Sequence, residues 1–178
     1  MIDINIDARQ LERVVVDLAA TEVEVRKALN STLRRMAAWV RTRSARGLSG
    51  ELAIQQKIVR RRIKSARLQR QGDGASVKVW YGLNPISLIW LNPRQSGAGV
   101  KAAGGRFVDS GFIANGKRGG RQVFKRKGKA RLPIEKQRAE IEPKAAGFLE
   151  SRVLKAAEFE AQFFKTFEHE LKWRTQTQ

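Results

Sequence analysis

NPISLIWLNPRQSGAGV, residues 84–100, is the stretch on which the reading of the fold turns. It opens with an apolar run over 86–91, interrupted only by Ser87, which reads as a buried strand. It breaks at Asn92-Pro93 and passes into a Gly-rich basic segment, 97–105, which reads as a loop. Just upstream, Val77, Val79 and Tyr81 alternate with Ser76, Lys78 and Trp80, the period of a strand, and Pro85 stops that strand from running on. Downstream, 106–113 and 122–125 read as two more short strands around a turn at 115–120. Short sequential strands with Gly turns predict an antiparallel sheet.

Before residue 72 the period is helical. Ile2, Ile4 and Ile6 alternate as a short strand or arm, and Asp7 suits an N-cap. Leu11, Val14, Val15 and Leu18 then follow helical spacing. Thr21 with Glu24 has capping-box form. Val25, Leu29, Leu33, Met36 and Val40 make one apolar stripe, predicting a long helix to about Arg46 with Gly47 as its stop. Ser49 is placed to cap a third helix, with Ile54, Ile58 and Ile63 inward and Lys57, Arg60, Arg61, Arg62, Lys64, Arg67 and Arg70 outward. Gly72-Asp73-Gly74 ends it. At the other end, RLPIEKQRAEIEP (131–143) reads as a linker, and Pro143 suits the first turn of a final helix. There Phe159, Phe163, Phe167 and Leu171 form a ridge suited to packing on the sheet or the long helix, or to contact with another subunit. The expected fold class is α+β in a single domain, with a helical region over residues 1–70, a basic β region over 75–131 and a C-terminal amphipathic helix over 143–174.

Charge is distributed unevenly. The chain of 178 residues carries 36 Lys and Arg against 17 Asp and Glu, a net charge of +19. Residues 55–131 hold 19 basic and 2 acidic residues, net +17, whereas 1–54 is net +2 and 132–178 is neutral. Such a block repels itself until a polyanion or an acidic protein neutralises it. There is no cysteine, so disulfides and thiolate metal sites are excluded. No apolar run approaches the ~18 residues of a membrane span. The N-terminal MIDINIDARQLERVVV carries acids where a signal peptide needs a basic and then an apolar region, and reads as an unexported terminus.

Catalytic chemistry finds little support. GFIANGKR (111–118) approximates a phosphate loop, but Arg118 stands where a magnesium-binding Ser or Thr belongs and more glycines follow where a helix must begin. His169 is the only histidine. Inside the basic block the only carboxylates are Asp73 and Asp109, which suit turns or ion pairs better than a metal site. Trp80, Tyr81 and Trp90 are candidates for base stacking, but predicted strands favour core packing for them. Nucleic-acid contact, if made, is therefore expected through backbone phosphates, without sequence readout.

Four stretches in order, KIVRRRIKSARL (57–68), PISLIWLNPRQSGAGV (85–100), GRFVDSGFIA (105–114) and VFKRKGKARLPI (123–134), resemble the prophage minor tail protein Z family, tail-completion proteins of long-tailed bacteriophages. The resemblance covers about 52–135, and Asp109-Ser110 departs from the Pro-Gly type of turn expected there. It implies a non-enzymatic structural component of the virion at the head-proximal end of the tail, made in the bacterial host cytoplasm and without a cofactor. It also implies a hexameric ring of this chain, with tail-tube, tail-terminator or neck proteins as neighbours. Under that reading Arg60, Arg61, Arg62, Lys64, Lys125, Arg126, Lys127, Lys129 and Arg131 face DNA phosphates in the channel or acidic neighbouring subunits. Residues 92–105, with Arg94, Lys101 and Arg106, are expected as a mobile loop that orders on assembly. The alternative is a charge-driven, sequence-independent nucleic-acid-binding protein with no membrane role.

Overall fold

The computed structural model describes residues 8–65, 68–71, 74–117, 119–153 and 156–176. The proposed arm at Ile2–Ile6, the Asp7 cap, Arg67, Asp73 and Arg118 lie outside them. The fold is α+β. It opens with helices α1 (Ala8–Asp17), α2 (Glu22–Leu52) and α3 (Gln56–Arg62). Strands β1 (Ile63–Ser65), β2 (Gln69–Gln71), β3 (Gly74–Ser76), β4 (Val79–Tyr81) and β5 (Ile86–Ser87) follow, then a 3-10 turn, Leu88–Leu91. Next come β6 (Arg94–Ser96), β7 (Gly99–Ala102), β8 (Arg106–Asp109), β9 (Phe112–Asn115), β10 (Arg121–Arg126), β11 (Ile134–Lys136) and β12 (Arg138–Ala139). Helix α4 (Glu142–Phe148), a π-helical turn (Leu149–Val153) and α5 (Ala156–Gln176) close the chain. These elements gather into two compact units that interleave along the chain. The described residues within 1–44, 63–81 and 149–178 form one, and Ala45–Arg62 with Gly82–Phe148 form the other.

The first unit is built on helices. Its entry into α2 is the capping box that the sequence predicts. The Thr21 hydroxyl and backbone N–H both donate to Glu24 Oε2 at 2.7 Å, and the Glu24 N–H returns toward the Thr21 hydroxyl at 3.4 Å. Those Thr21 bonds hold the Glu24 carboxyl below its ordinary value. Ala28 and Met36 of α2 form one core with Phe163, Phe164, Phe167 and Leu171 of α5, and Leu11, Val14 and Val15 of α1, with Leu18 in the turn that follows it, pack against it. The Phe163 and Phe167 rings stack at 6.2 Å. The predicted phenylalanine ridge is thus a core ridge against the N-terminal helices. Beside it Glu170, only 5% exposed, lies between Arg35 at 2.8 Å and Arg174 at 2.6 Å, and Arg174 also donates to the Ser31 hydroxyl. A buried carboxylate survives only with such compensation.

The second unit carries most of the strands and most of the corrections to the sequence reading. Gly47 does not stop the long helix, which runs on to Leu52, and Ser49 lies inside it rather than capping the next one. Gly47 serves close approach instead. A Cβ there would fall 2.2 Å from Cζ of the Phe148 ring. The third helix is shorter than expected. It ends at Arg62, with Val59 rather than Ile58 as its buried residue, and Lys64 and Arg70 fall on strands. The apolar run 86–91 pairs as a strand only at Ile86–Ser87, against β12. Leu88 and Leu91 are both buried by a 3-10 turn, where residues three apart share a face.

The expected loop 92–105 is folded. Arg94 pairs with Lys101 across β6 and β7, and Lys101 with Phe107 across β7 and β8, so the segment belongs to a three-stranded antiparallel meander. Gly99 makes it possible: at φ 152° its absent Cβ avoids the Val108 carbonyl oxygen, which would lie 2.1 Å away. The predicted strand 106–113 breaks at Ser110, whose φ of 56° puts a non-glycine residue in the left-handed region. The expected linker also pairs: β11 is antiparallel to β10, giving the order β11-β10-β9. The C-terminal helix is two helices, α4 and α5, with Pro143 in the first turn of α4. Two amides tie the small sheets together. Gln95 donates to the carbonyls of Gly99 and Gly111 and accepts from the Ile113 N–H at 3.0 Å, and the Ser87 hydroxyl donates to Gln122 at 2.7 Å.

Gly47→Ala is expected to cost about 1–3 kcal/mol through overpacking against Phe148. Denaturant unfolding checks this, and the same change in a Phe148→Ala background costs clearly less if the ring is the cause.

Candidate nucleic-acid interface

The two units differ in charge. The second holds 19 basic and 5 acidic residues, net +14, and the first holds 17 and 12, net +5. That difference changes how arginine is held. In the first unit guanidiniums meet carboxylates, Arg35 and Arg174 at Glu170 and Arg43 at Glu158, and Arg43 and Arg174 also donate to the carbonyls of Arg152 and Glu170. In the second unit they meet backbone carbonyls. Arg62 donates to Gly82 O at 2.7 Å and to Asn84 through both its carbonyl and side chain, and its partial burial lowers its pKa. Arg106 donates to Leu52 O at 3.1 Å and Ala103 O at 2.9 Å. Arg126 donates to Arg131 O at 2.7 Å while its guanidinium lies 5.6 Å from the Phe112 ring centroid.

The sequence candidates therefore separate by role. Arg62 and Arg106 hold the fold together. Arg60 and Arg61 are exposed in the last turn of α3. Lys64 belongs to the first unit, on β1, where it sits 5.8 Å from the Trp80 ring across the ladder. Arg94 and Lys101 stand side by side on the outer face of the meander, with Phe107, 48% exposed, next in the same row. Sequence reasoning missed Phe107, because only the strand register shows that it shares a row with two cations. Lys125 is half-buried, and Arg126, Lys127, Lys129 and Arg131 all fall in the β10–β11 hairpin.

That hairpin is the most exposed segment of the second unit. Every residue from 126 to 136 is exposed, including all of β11. The loop closes through Lys127 N–H to Pro133 O at 3.1 Å, and Lys127 Nζ meets Glu135 at 2.9 Å. The bond to Glu135, and then its charge, raise the Lys127 pKa.

Two aromatics expected in the core are exposed: Trp80 by 57% and Trp90 by 48%, the latter because its segment is a 3-10 turn rather than a strand. Tyr81 is half-buried and bonded to the Ser44 hydroxyl at 2.8 Å, and its partial burial raises its pKa. Trp90 borders a recess of about 260 Å³ with Pro93, Ile113 and Arg121, smaller than the ~300–1,000 Å³ of typical ligand pockets. The phosphate-loop lookalike opens into β9, not a helix, so its amides are not gathered toward an anion. His169 is exposed on α5. Among the described residues no three of His, Asp and Glu come together as a metal site needs, and no helix is long and apolar enough to cross a membrane. No family model, curated protein or solved structure matches the chain.

Limited trypsin digestion is expected to cut after Lys129 and Arg131, in the uncovered hairpin, before it cuts after Arg94, Lys101 or Arg106 in the meander. Mass spectrometry of early fragments reads the order. Early cleavage after Lys101 would contradict the folded meander.

Proposed function

We propose that this chain is a non-enzymatic virion protein, a minor tail or tail-completion protein at the head-proximal end of a phage tail. Copies form a ring, a hexamer, that joins the tail to the neck, with tail-tube, tail-terminator or neck proteins as neighbours. The protein is made in the bacterial host cytoplasm and resides in the virion. One observation carries the reading. Of the four stretches that resemble the tail-completion family, three lie wholly in the second unit and the other begins in it, on α3. The resemblance thus falls largely on one folded body, and that body holds most of the chain's positive charge.

In a ring this charge is multiplied around a central axis, where a channel holds or passes DNA. Exposed Arg60, Arg61, Arg94, Lys101, Lys129 and Arg131 supply phosphate contacts that need no base sequence. The second reading, a free charge-driven nucleic-acid-binding protein, draws on the same net +14 but requires no assembly.

Electron microscopy of purified particles, with a tag appended after Gln178, separates the two. A ring of tag density at the head-proximal tail end is the expected result. Absence of the chain from particles, with the protein free or DNA-bound in the lysate, discards the tail reading in favour of the free binder.

A further inference from the structure

We infer that the β10–β11 hairpin is a DNA-binding arm whose loop enters the minor groove of a duplex, with Leu132 as an apolar wedge between base steps. The inference rests on the reading that the basic unit faces DNA, and it adds the device and the geometry. A two-stranded ribbon in water is marginal by itself. This one is uncovered from Arg126 to Lys136 and is shaped by its own contacts: Lys127 N–H to Pro133 O, Arg126 to Arg131 O, and Lys127 to Glu135. Arg126 also lies over the Phe112 ring of β9, which anchors the stem to its sheet. The arm is therefore a formed but unpartnered element.

Its chemistry fits a regular row of anions. Residues 125–136 hold six basic residues and one acid, Glu135, net +5. In the loop, Lys127, Lys129 and Arg131 occupy alternate positions, and the residues between them are Gly128 and Ala130. Small residues between the cations let the backbone approach closely. An exposed leucine follows at once: Leu132 is 67% exposed, with Pro133 beside it and Ile134 39% exposed. Such a residue gains nothing from water. Minor-groove proteins combine Arg or Lys along the groove with a Leu, Ile or Pro that unstacks a base step and kinks the duplex. The loop carries both features within seven residues, 127–133.

The test uses the full chain and a fluorescent duplex of about 30 base pairs, with anisotropy across a salt series and end-to-end energy transfer for bending. The unaltered chain is expected to bind with steep salt dependence and to bend the duplex. The Lys127→Gln, Lys129→Gln, Arg131→Gln variant should lose about two to three units of the log–log salt slope, since each phosphate contact contributes about 0.9. Leu132→Ala should keep the slope and lose the bend. Thermal melting of both variants, unchanged from the parent, shows that the fold is intact. A triple variant with the parent's full slope overturns the arm, while leaving the DNA-facing reading to Arg60, Arg61 and Arg94. Bending retained by Leu132→Ala overturns the wedge. Absence of salt-dependent duplex binding by the unaltered chain overturns arm and DNA-facing reading together. A triple variant that binds DNA normally but fails to build tails overturns the arm in favour of an acidic subunit partner.

Discussion

Guanidinium held by backbone carbonyl is the interaction on which the second unit depends. With 19 basic residues and only 5 acidic ones, that unit lacks the carboxylates to pair its arginines. Arg62 and Arg106 use carbonyl oxygens to fix the turns at Gly82–Asn84 and Ala103, and Arg126 uses one to close the hairpin loop. Each such bond is charge-assisted and satisfies an acceptor that would otherwise need water. None removes positive charge. The unit is therefore knitted by the same residues that keep it cationic, and its net charge of +14 survives folding.

The remaining cations follow from strand geometry. Alternation on β6, β7 and β8 turns Arg94, Lys101 and Phe107 to one face while Val100 is buried on the other. The β10–β11 ribbon begins beside buried Val123 of β10 and is exposed from Arg126 to Lys136, so its loop cations stand in solvent. Two like charges about 4 Å apart in water repel by about 1 kcal/mol, so spacing them along strands and an uncovered arm limits the cost of the free state. A polyanion that neutralises several at once gains what that spacing leaves uncompensated. The first unit is closer to balance, with 17 basic and 12 acidic residues. Its buried Glu170 is paired with two arginines beside its phenylalanine core.

Where one residue type had one physical meaning, the sequence was readable. The Thr21–Glu24 box and the Phe159 to Leu171 spacing are local patterns with local causes, and the structure contains both. Legibility failed where a residue serves a distant partner. Gly47 looks like a helix stop, but its use is set by Phe148, about a hundred positions on. The run 86–91 is apolar on both sides, and such a run does not distinguish a strand from a turn of helix. The Gly-rich segment 97–105 looked like a loop because the meander's need for Gly99 beside Val108 appears only once β7 and β8 are paired. The basic candidates were legible as charges. Their division into fold-holding arginines and exposed cations was not, because carbonyl acceptors carry no sequence signal.

On the reading proposed above, the second unit faces a polyanion through its exposed strands and arm. Hydrogen–deuterium exchange of the whole chain, with and without duplex DNA at low salt, tests it most directly. Slowed exchange is expected to concentrate in 94–101 and 125–136, with α1 and α5 unchanged. Protection spread evenly over both units, or centred on α5, would contradict it.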